Sequence, residues 1–238
     1  MLGTIINIVT VLIGGTLGLF FGARFPERMS QTIVAGLGLF TLSIGARLSL
    51  ESENVILVLV SLLVGGVLGE LLALEDRLEN FGAWLQQRFA ANAEGGSAMF
   101  VRGFLTASLV FCIGPMAILG SIQDGLSGNY ELLAIKAVLD GFASIVFAST
   151  LGIGVLFSAL VVLFYQGGIS LLAQQAQTLL SDAMITEMSA VGGILLLGVA
   201  VSSLLEIKKI RVGNFLPALL IAPLIVAIMT ALGLSTAP

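Results

Sequence analysis

Lys136, Asp140 and Ser144 recur at intervals of four inside an apolar run, and residues four apart share one face of an α-helix. An acid and a base so placed can neutralise each other, exchange a proton, or release one another to hold an ion or a charged solute. Gly114-Pro115 interrupts a second apolar run, where the missing N–H and the absent Cβ kink or break a helix. Ser121, Gln123 and Asp124 follow in the stretch Ser121 to Gly125, which reads as a polar turn at an outer mouth or as a re-entrant segment. A charge as deep in an apolar helix as Asp140 costs about 2.5–3.5 kcal/mol on insertion scales, so it must face protein or water and find a partner. Lys136, one turn away, is the obvious one. Two readings stay open: a self-neutralising pair that fixes helix packing, or a coupling carboxylate that Lys136 releases, with Ser121, Gln123 and Asp124 as its entrance. Asn7 is a candidate lining residue of the same pathway, as are Thr41, Ser43, Tyr165, Gln166, Ser202 and Ser203, none of which carries a role alone.

Little other chemistry is available. Histidine is absent and Cys112 is the only cysteine, which excludes a disulfide framework, a His or Cys-cluster metal site and a His-based triad. No nucleophile–base pair is recognisable, so we expect no enzyme, no metal and no cofactor; a carboxylate dyad of Asp124 and Asp140 is the one catalytic arrangement left.

The elements that position these residues are membrane spans. Of 238 residues, 58% are hydrophobic and only 10% charged, and the mean hydropathy is +1.11; a soluble domain carries roughly a quarter charged residues. Its partners are therefore the lipid bilayer and a small solute or ion. The net charge of -4 supplies no basic stripe for nucleic acid. Runs long enough for a bilayer, roughly 20 residues each, fall at Gly3 to Gly22, Thr32 to Ala46, Val55 to Leu74, Phe100 to Gly120, Leu132 to Leu151, Gly152 to Leu172, Met188 to Leu205 and Phe215 to Leu232. The fifth and sixth are continuous, and Leu151-Gly152-Ile153-Gly154 is the only plausible turn between them. Arg24 and Arg28 follow the first span and none precedes it, the reverse of a signal peptide, so that span is expected to remain. Eight of the ten basic residues lie in alternate connections. The bias places those loops in the cytoplasm and both termini outside it.

From Leu78 through Phe81, Trp84, Leu85 and Phe89 the apolar residues keep helical spacing, opposite Glu79, Gln86, Gln87 and Arg88, as in a helix on the cytoplasmic membrane surface. Ala91 to Ser97 then reads as a flexible joint. Gly14, Gly18 and Gly22, and separately Gly65 and Gly69, make faces on which helices approach closely. Such faces serve packing within the chain or a homo-oligomer, and the first is favoured.

Ile13-Gly14-Gly15-Thr16-Leu17 in the first span is similar to Gln166-Gly167-Gly168-Ile169-Ser170 in the sixth, and Gly36-Leu37-Gly38-Leu39 to Val191-Gly192-Gly193-Ile194. The Lys and Arg count inverts between the two sets of loops, as opposite orientation requires. The expected fold is an all-α polytopic transmembrane helix bundle of about eight spans. It comprises one transmembrane domain over 1–238: repeat one at 1–74, an amphipathic cytoplasmic linker at 75–97, central helices at 98–151 and an inverted repeat two at 152–238. Inverted repeats characterise secondary transporters with a midplane site, and a non-transporting structural or regulatory membrane protein is the alternative.

The stretch Phe111-Cys112-Ile113-Gly114-Pro115-Met116-Ala117-Ile118-Leu119-Gly120-Ser121-Ile122-Gln123-Asp124-Gly125-Leu126 resembles bacterial membrane proteins of the YqgA or YdfK type, the family of domain of unknown function 554. Gly3-Thr4-Ile5-Ile6-Asn7, Lys136-Ala137-Val138-Leu139-Asp140-Gly141 and Ala148-Ser149-Thr150-Leu151-Gly152 share the resemblance, which covers essentially the whole chain. It implies a multi-spanning bacterial inner-membrane protein, and no particular substrate.

Overall fold

Large apolar side chains such as Leu63, Phe142 and Phe164 stand exposed on helices whose opposite faces are also apolar, a pattern that only a lipid solvent permits. The computed structural model describes residues 1–22, 26–89 and 96–233. Every regular element among them is a helix: α1 (Leu2–Gly22), α2 (Glu27–Ser49), α3 (Val55–Leu71), α4 (Leu74–Phe89), α5 (Gly96–Cys112), α6 (Pro115–Ser127), α7 (Glu131–Leu151), α8 (Gly154–Leu171), α9 (Ala173–Leu179), α10 (Asp182–Val199) and α11 (Ala218–Ala231), with a π turn at Ala200–Leu204 and a 3-10 turn at Val212–Phe215. Six stretches are long and apolar enough to cross a membrane, and eight if each of the bent pairs α3 with α4 and α5 with α6 is one span.

Glycine sets the breaks. Gly152 adopts φ +77° between α7 and α8, the turn expected in the long apolar run, and Gly114 adopts φ +129° where α5 gives way to α6. Only a residue without Cβ takes such values at no cost, and Pro115 next to Gly114 suits a helix start, where its missing N–H has no partner to lose. The fourth span is thus two helices bent by 64°. Ser121 to Gly125 is not the expected polar turn. It lies inside α6, because nothing interrupts the helix until Gly128, at φ +70°.

The chain forms two compact units. The first contains Met1–Leu37, Glu79–Cys112 and Met116–Ala176; the second contains Gly38–Leu78, Ile113–Pro115 and Gln177–Pro238. In the first, α1 lies parallel to α7: a Cβ on Gly14, Gly18 or Gly22 would strike the backbone carbonyl of Gly141, Ile145 or Ser149 respectively. The glycine stripe of α1 therefore serves packing within the chain. On its other side α1 meets α8 running the opposite way, since Gly15 approaches Leu156 while Thr4 approaches Gly167. Helix α5 packs along α8 around Leu85, Phe100 and Phe104, with Phe157 and Val161 against them.

Helix α4 departs from the expected surface helix in which face it buries. Gly82, Leu85 and Gln86 are buried while Phe81, Trp84 and Phe89 are exposed. The small residue Gly82 admits Val101 and Phe104, and the aromatic rings take the outer positions. The joint expected over Ala91 to Ser97 lies outside the described residues as far as Gly96, where α5 starts, and Arg24 lies outside them too.

In the second unit Gly65 and Gly69 of α3 meet Ala218 and Asn214, so this stripe also packs within the chain. Gly45 of α2 and Gly193 of α10 face each other, each against the other's carbonyl at 2.7 and 2.6 Å from an ideal Cβ. The connection before α3 is fastened to the buried carboxylate of Glu187 on α10, which accepts from Ser52 Oγ at 2.7 Å, Glu53 N at 2.8 Å and Asn54 N at 3.1 Å. Two of these are backbone donors ahead of a helix, where an anion is favoured. At the other end of α3, Asn214 Nδ2 donates to Glu70 at 2.6 Å and Asn214 Oδ1 accepts from Glu75 N at 2.8 Å.

Two stability outcomes follow from this packing. Gly18→Ala is expected to destabilise the detergent-solubilised protein by about 2 kcal/mol, because α1 must move off α7. Gly168→Ala, where a Cβ meets nothing within 4 Å, should instead stabilise it by about 0.5–1 kcal/mol, and thermal unfolding of both variants reads the difference in sign. Glu187→Ala should cost about 3 kcal/mol, since it strips three charge-assisted bonds from part-buried donors. Ser52→Ala should cost about 1 kcal/mol on the same assay.

Candidate functional site

A buried pair of opposite charges in the first unit sits on α7. Glu131–Leu151 is long enough to cross a bilayer, and its buried face carries Lys136, Ala137, Asp140, Gly141 and Ser144. Lys136 and Asp140 are only 6% and 7% exposed. Their four-residue spacing lets Lys136 Nζ form an ion pair with Asp140 Oδ2, as the sequence suggests. The same oxygen accepts from Asn7 Nδ2 of α1 at 2.9 Å. Asn7 Nδ2 donates a second bond, 3.2 Å long, to Gln166 Oε1 of α8. Two helices therefore meet at one carboxylate, and the third joins them through Asn7.

The amide orientations follow from that charge. A carboxylate accepts only, so Asn7 must turn its NH2 to Asp140. Its Oδ1 then points elsewhere. Gln166 presents its oxygen to the same NH2, and its own Nε2 is left over. Asn7 Oδ1, Gln166 Nε2, Thr4 Oγ1, Ser144 Oγ and Ser170 Oγ are all buried without a hydrogen-bond partner among the described residues. Buried polar groups are otherwise nearly always paired, because each unpaired one costs about 1–3 kcal/mol. Five such atoms lie on α1, α7 and α8.

Asp124 occupies the same side of α1 one turn nearer its start. Its Oδ2 accepts from Gly3 N at 3.1 Å, and the amino group of Met1 lies 3.0 Å from its Oδ1. A carboxylate from α6 thus caps the positive end of the α1 dipole. The side chain could turn inward because residues 115–127 are helical, placing Ser121 and Asp124 three apart on the buried face. Ser121 spends its hydroxyl on Ala117 O of its own helix. Gln123 is exposed, away from the cluster. Gly114 and Pro115 form the break between α5 and α6. The two carboxylates engage different residues of α1, Gly3 and Asn7, and no direct bond joins them among the described residues.

The cluster thus unites Asp140, Lys136, Ser144, Asn7 and Asp124 with Gln166, a candidate lining residue, omits Gln123, and adds Thr4 and Ser170. Gln166 and Ser170 are four apart in an apolar helix, as are Gly3 and Asn7; the same spacing that singles out Lys136 and Asp140 marks them. The pairing makes a thermodynamic cycle informative. Lys136→Met is expected to destabilise the protein by about 3–5 kcal/mol by leaving Asp140 buried and uncompensated. Adding Asp140→Leu should restore most of that loss, read by thermal unfolding in detergent; additive losses would mean the two charges are not coupled.

The family model described as Protein of unknown function (DUF554) matches residues 2–227, which include every residue of this cluster. The chain is similar to the "Uncharacterized membrane protein YdfK" of Bacillus subtilis (strain 168), 35% identical over 238 residues, covering 98% of this chain and 99% of that protein. It is similar also to the "Uncharacterized protein YqgA" of Escherichia coli (strain K12), 32% identical over 232 residues, covering 97% of this chain and 98% of that protein. No solved structure matches it. A family match over nearly the whole chain, together with two full-length relatives above 30% identity, means that this protein belongs to the DUF554 family of polytopic membrane proteins.

Proposed function

We propose that the chain is a secondary transporter or channel-like carrier of a small solute or ion in the bacterial cytoplasmic membrane, not an enzyme, and that it works by alternating access around Asp140. The observation that carries this reading is the buried Lys136–Asp140 pair surrounded by unpartnered polar atoms from three helices. A packing device would satisfy its own hydrogen bonds; a binding site leaves them for its ligand. The pair is net neutral, so the site suits a neutral or zwitterionic solute, or an ion that displaces one partner.

The inverted repeat supports the same reading. A repeat relating residues 1–74 to 152–238 pairs α1 with α8, α2 with α10 and α3 with α11. Each pair meets within one unit, α2 from Gly38 onward, and runs antiparallel: Gly15 meets Leu156 while Thr4 meets Gly167, Gly38 meets Leu205 while Gly45 meets Gly193, and Gly65 meets Ala218 while Gly69 meets Asn214. Arg28 after α1, Arg77, Arg88 and Arg102 around α4, and Lys208, Lys209 and Arg211 before α11 would face the cytoplasm, with both termini outside.

A non-transporting structural role is the second reading, favoured by the closed charge balance of Lys136, Asp140 and Asn7. The two separate on the accessibility of Ser144, which lies one turn from Asp140 without belonging to the pair. A Ser144→Cys, Cys112→Ser variant in sealed vesicles should react with a membrane-impermeant maleimide at a rate that changes about fivefold or more with pH or added ions, as a gated site requires. Complete protection from both sides under all conditions would assign the pair a structural role.

A further inference from the structure

The unpartnered atoms of the first unit are not all of one kind, and that restricts what they hold. Asn7 Oδ1 can only accept, Gln166 Nε2 can only donate, and the hydroxyls of Thr4 and Ser170 can do both. A bare cation would satisfy the acceptor and leave the donor unpaired; an anion would do the reverse. Water satisfies every one of them, and a buried site with two to four polar partners is where water is found.

The positions form a row. Asp124 is bonded to Gly3, Thr4 is the next residue, and Asn7 follows one turn along α1 and is bonded to Asp140. On α8, Gly167 lies beside Thr4, and Ser170 stands one turn from Gln166, its backbone against Gly125 of α6, the neighbour of Asp124. Two buried carboxylates thus stand at the ends of a line of unpaired hydrogen-bonding groups. We propose that Thr4, Asn7, Gln166 and Ser170 hold a short file of water molecules that relays protons between Asp124 and Asp140. This rests on the carrier reading for the use of the proton, which is to couple transport to the proton gradient.

The transfer balances without any co-reactant. The O–H bond of a protonated Asp124 breaks as the first water of the file accepts its proton, each water accepts one proton and releases another, and the final O–H bond forms at Asp140. Oδ2 of Asp140 is taken by Lys136 and Asn7, which leaves Oδ1 to receive the proton. A neutral Asp140 no longer binds the Lys136 ammonium as an ion pair, and that exchange opens the polar site. The charged and titratable groups around Asp140 among the described residues include Lys136 on α7 and Cys112 at the end of α5. Tyr165 of α8 lies near Cys112, α8 otherwise turns the neutral Gln166 and Ser170 to the row, and the amino group of Met1 stands at the Asp124 end.

Time-resolved infrared spectroscopy of the full chain in lipid, after a jump from about pH 8 to about pH 5, reads protonation of Asp140 directly, its carboxyl band assigned by its loss in Asp140→Asn. The band should rise within the mixing time in the parent protein and in Thr4→Ser, which keeps the hydroxyl. It should rise about tenfold or more slowly in the Thr4→Val, Ser170→Ala variant, whose row has lost polar partners for water. Equal rates in the parent and the double variant, a Thr4→Ser as slow as the double variant, or no Asp140 band at all would overturn the relay. Maleimide labelling of Ser144→Cys decides the carrier reading separately: a fast band in a protein always protected at residue 144 retains the relay and removes the carrier, and gated labelling with no band does the opposite.

Discussion

A carboxylate inside a bilayer-spanning helix costs about 2.5–3.5 kcal/mol before any partner is found, and the arrangement of α1, α7 and α8 follows from how Asp140 meets that cost. Lys136 alone would neutralise it, but an ion pair confined to one helix would still leave the lone pairs of the carboxylate facing hydrocarbon. Asn7 supplies the further donor, and to reach Asp140 it requires α1 to lie against α7 at backbone distance. The stripe of Gly14, Gly18 and Gly22 makes that approach physically available. Asn7 then commits Gln166 to one orientation, so α8 is positioned by a charge it does not touch. Removing Asp140 from this scheme would leave two amides and a lysine without a reason for their geometry.

The second unit solves a different problem with similar means. Its helices cross where glycine or alanine lets backbones meet, and its connections are held by side chains that take up backbone donors: Glu187 before α3, and Asn214 with Glu75 after it. Ser202, within the π turn, does the same for the segment before α11 by bonding both polar backbone groups of Ile210. Irregular backbone at the ends of apolar helices is tolerated because each exposed N–H or C=O finds such a partner.

Much of this is legible in the linear sequence. Gly152 and Gly114-Pro115 mark breaks because their backbone chemistry acts locally, and Lys136 and Asp140 announce a pair because their spacing is that of a helical turn. What is not legible is any contact that the fold brings together from afar. Asn7 and Asp140 are 133 positions apart, and no local pattern ties them. Polar company also misleads: Gln123 sits among Ser121 and Asp124 and proves exposed, whereas Gln166, alone in an apolar helix, is buried at the centre. In lipid the isolated amide is the one that must find protein. Gln86 makes the same point, since an amphipathic pattern ranks it as outward-facing while the fold buries it beside Gly82 and Leu85. Glu187 escapes notice because two of its three partners are backbone N–H groups, which every residue but proline has, and all lie more than 130 positions away.

The distance between Asn7 and Asp140 has a consequence for how the protein is made. Ribosomes extend a chain at roughly 5–20 residues per second, so α1 enters the membrane many seconds before α7 has been synthesised. During that interval the amide of Asn7 and the whole glycine seam face lipid or the insertion machinery with nothing to bind. The first helix to arrive is therefore among the last to be satisfied. Assembly of the first unit waits for residues near 166, and a chain interrupted earlier presents an unmatched polar helix to whatever surveys the membrane for incomplete proteins.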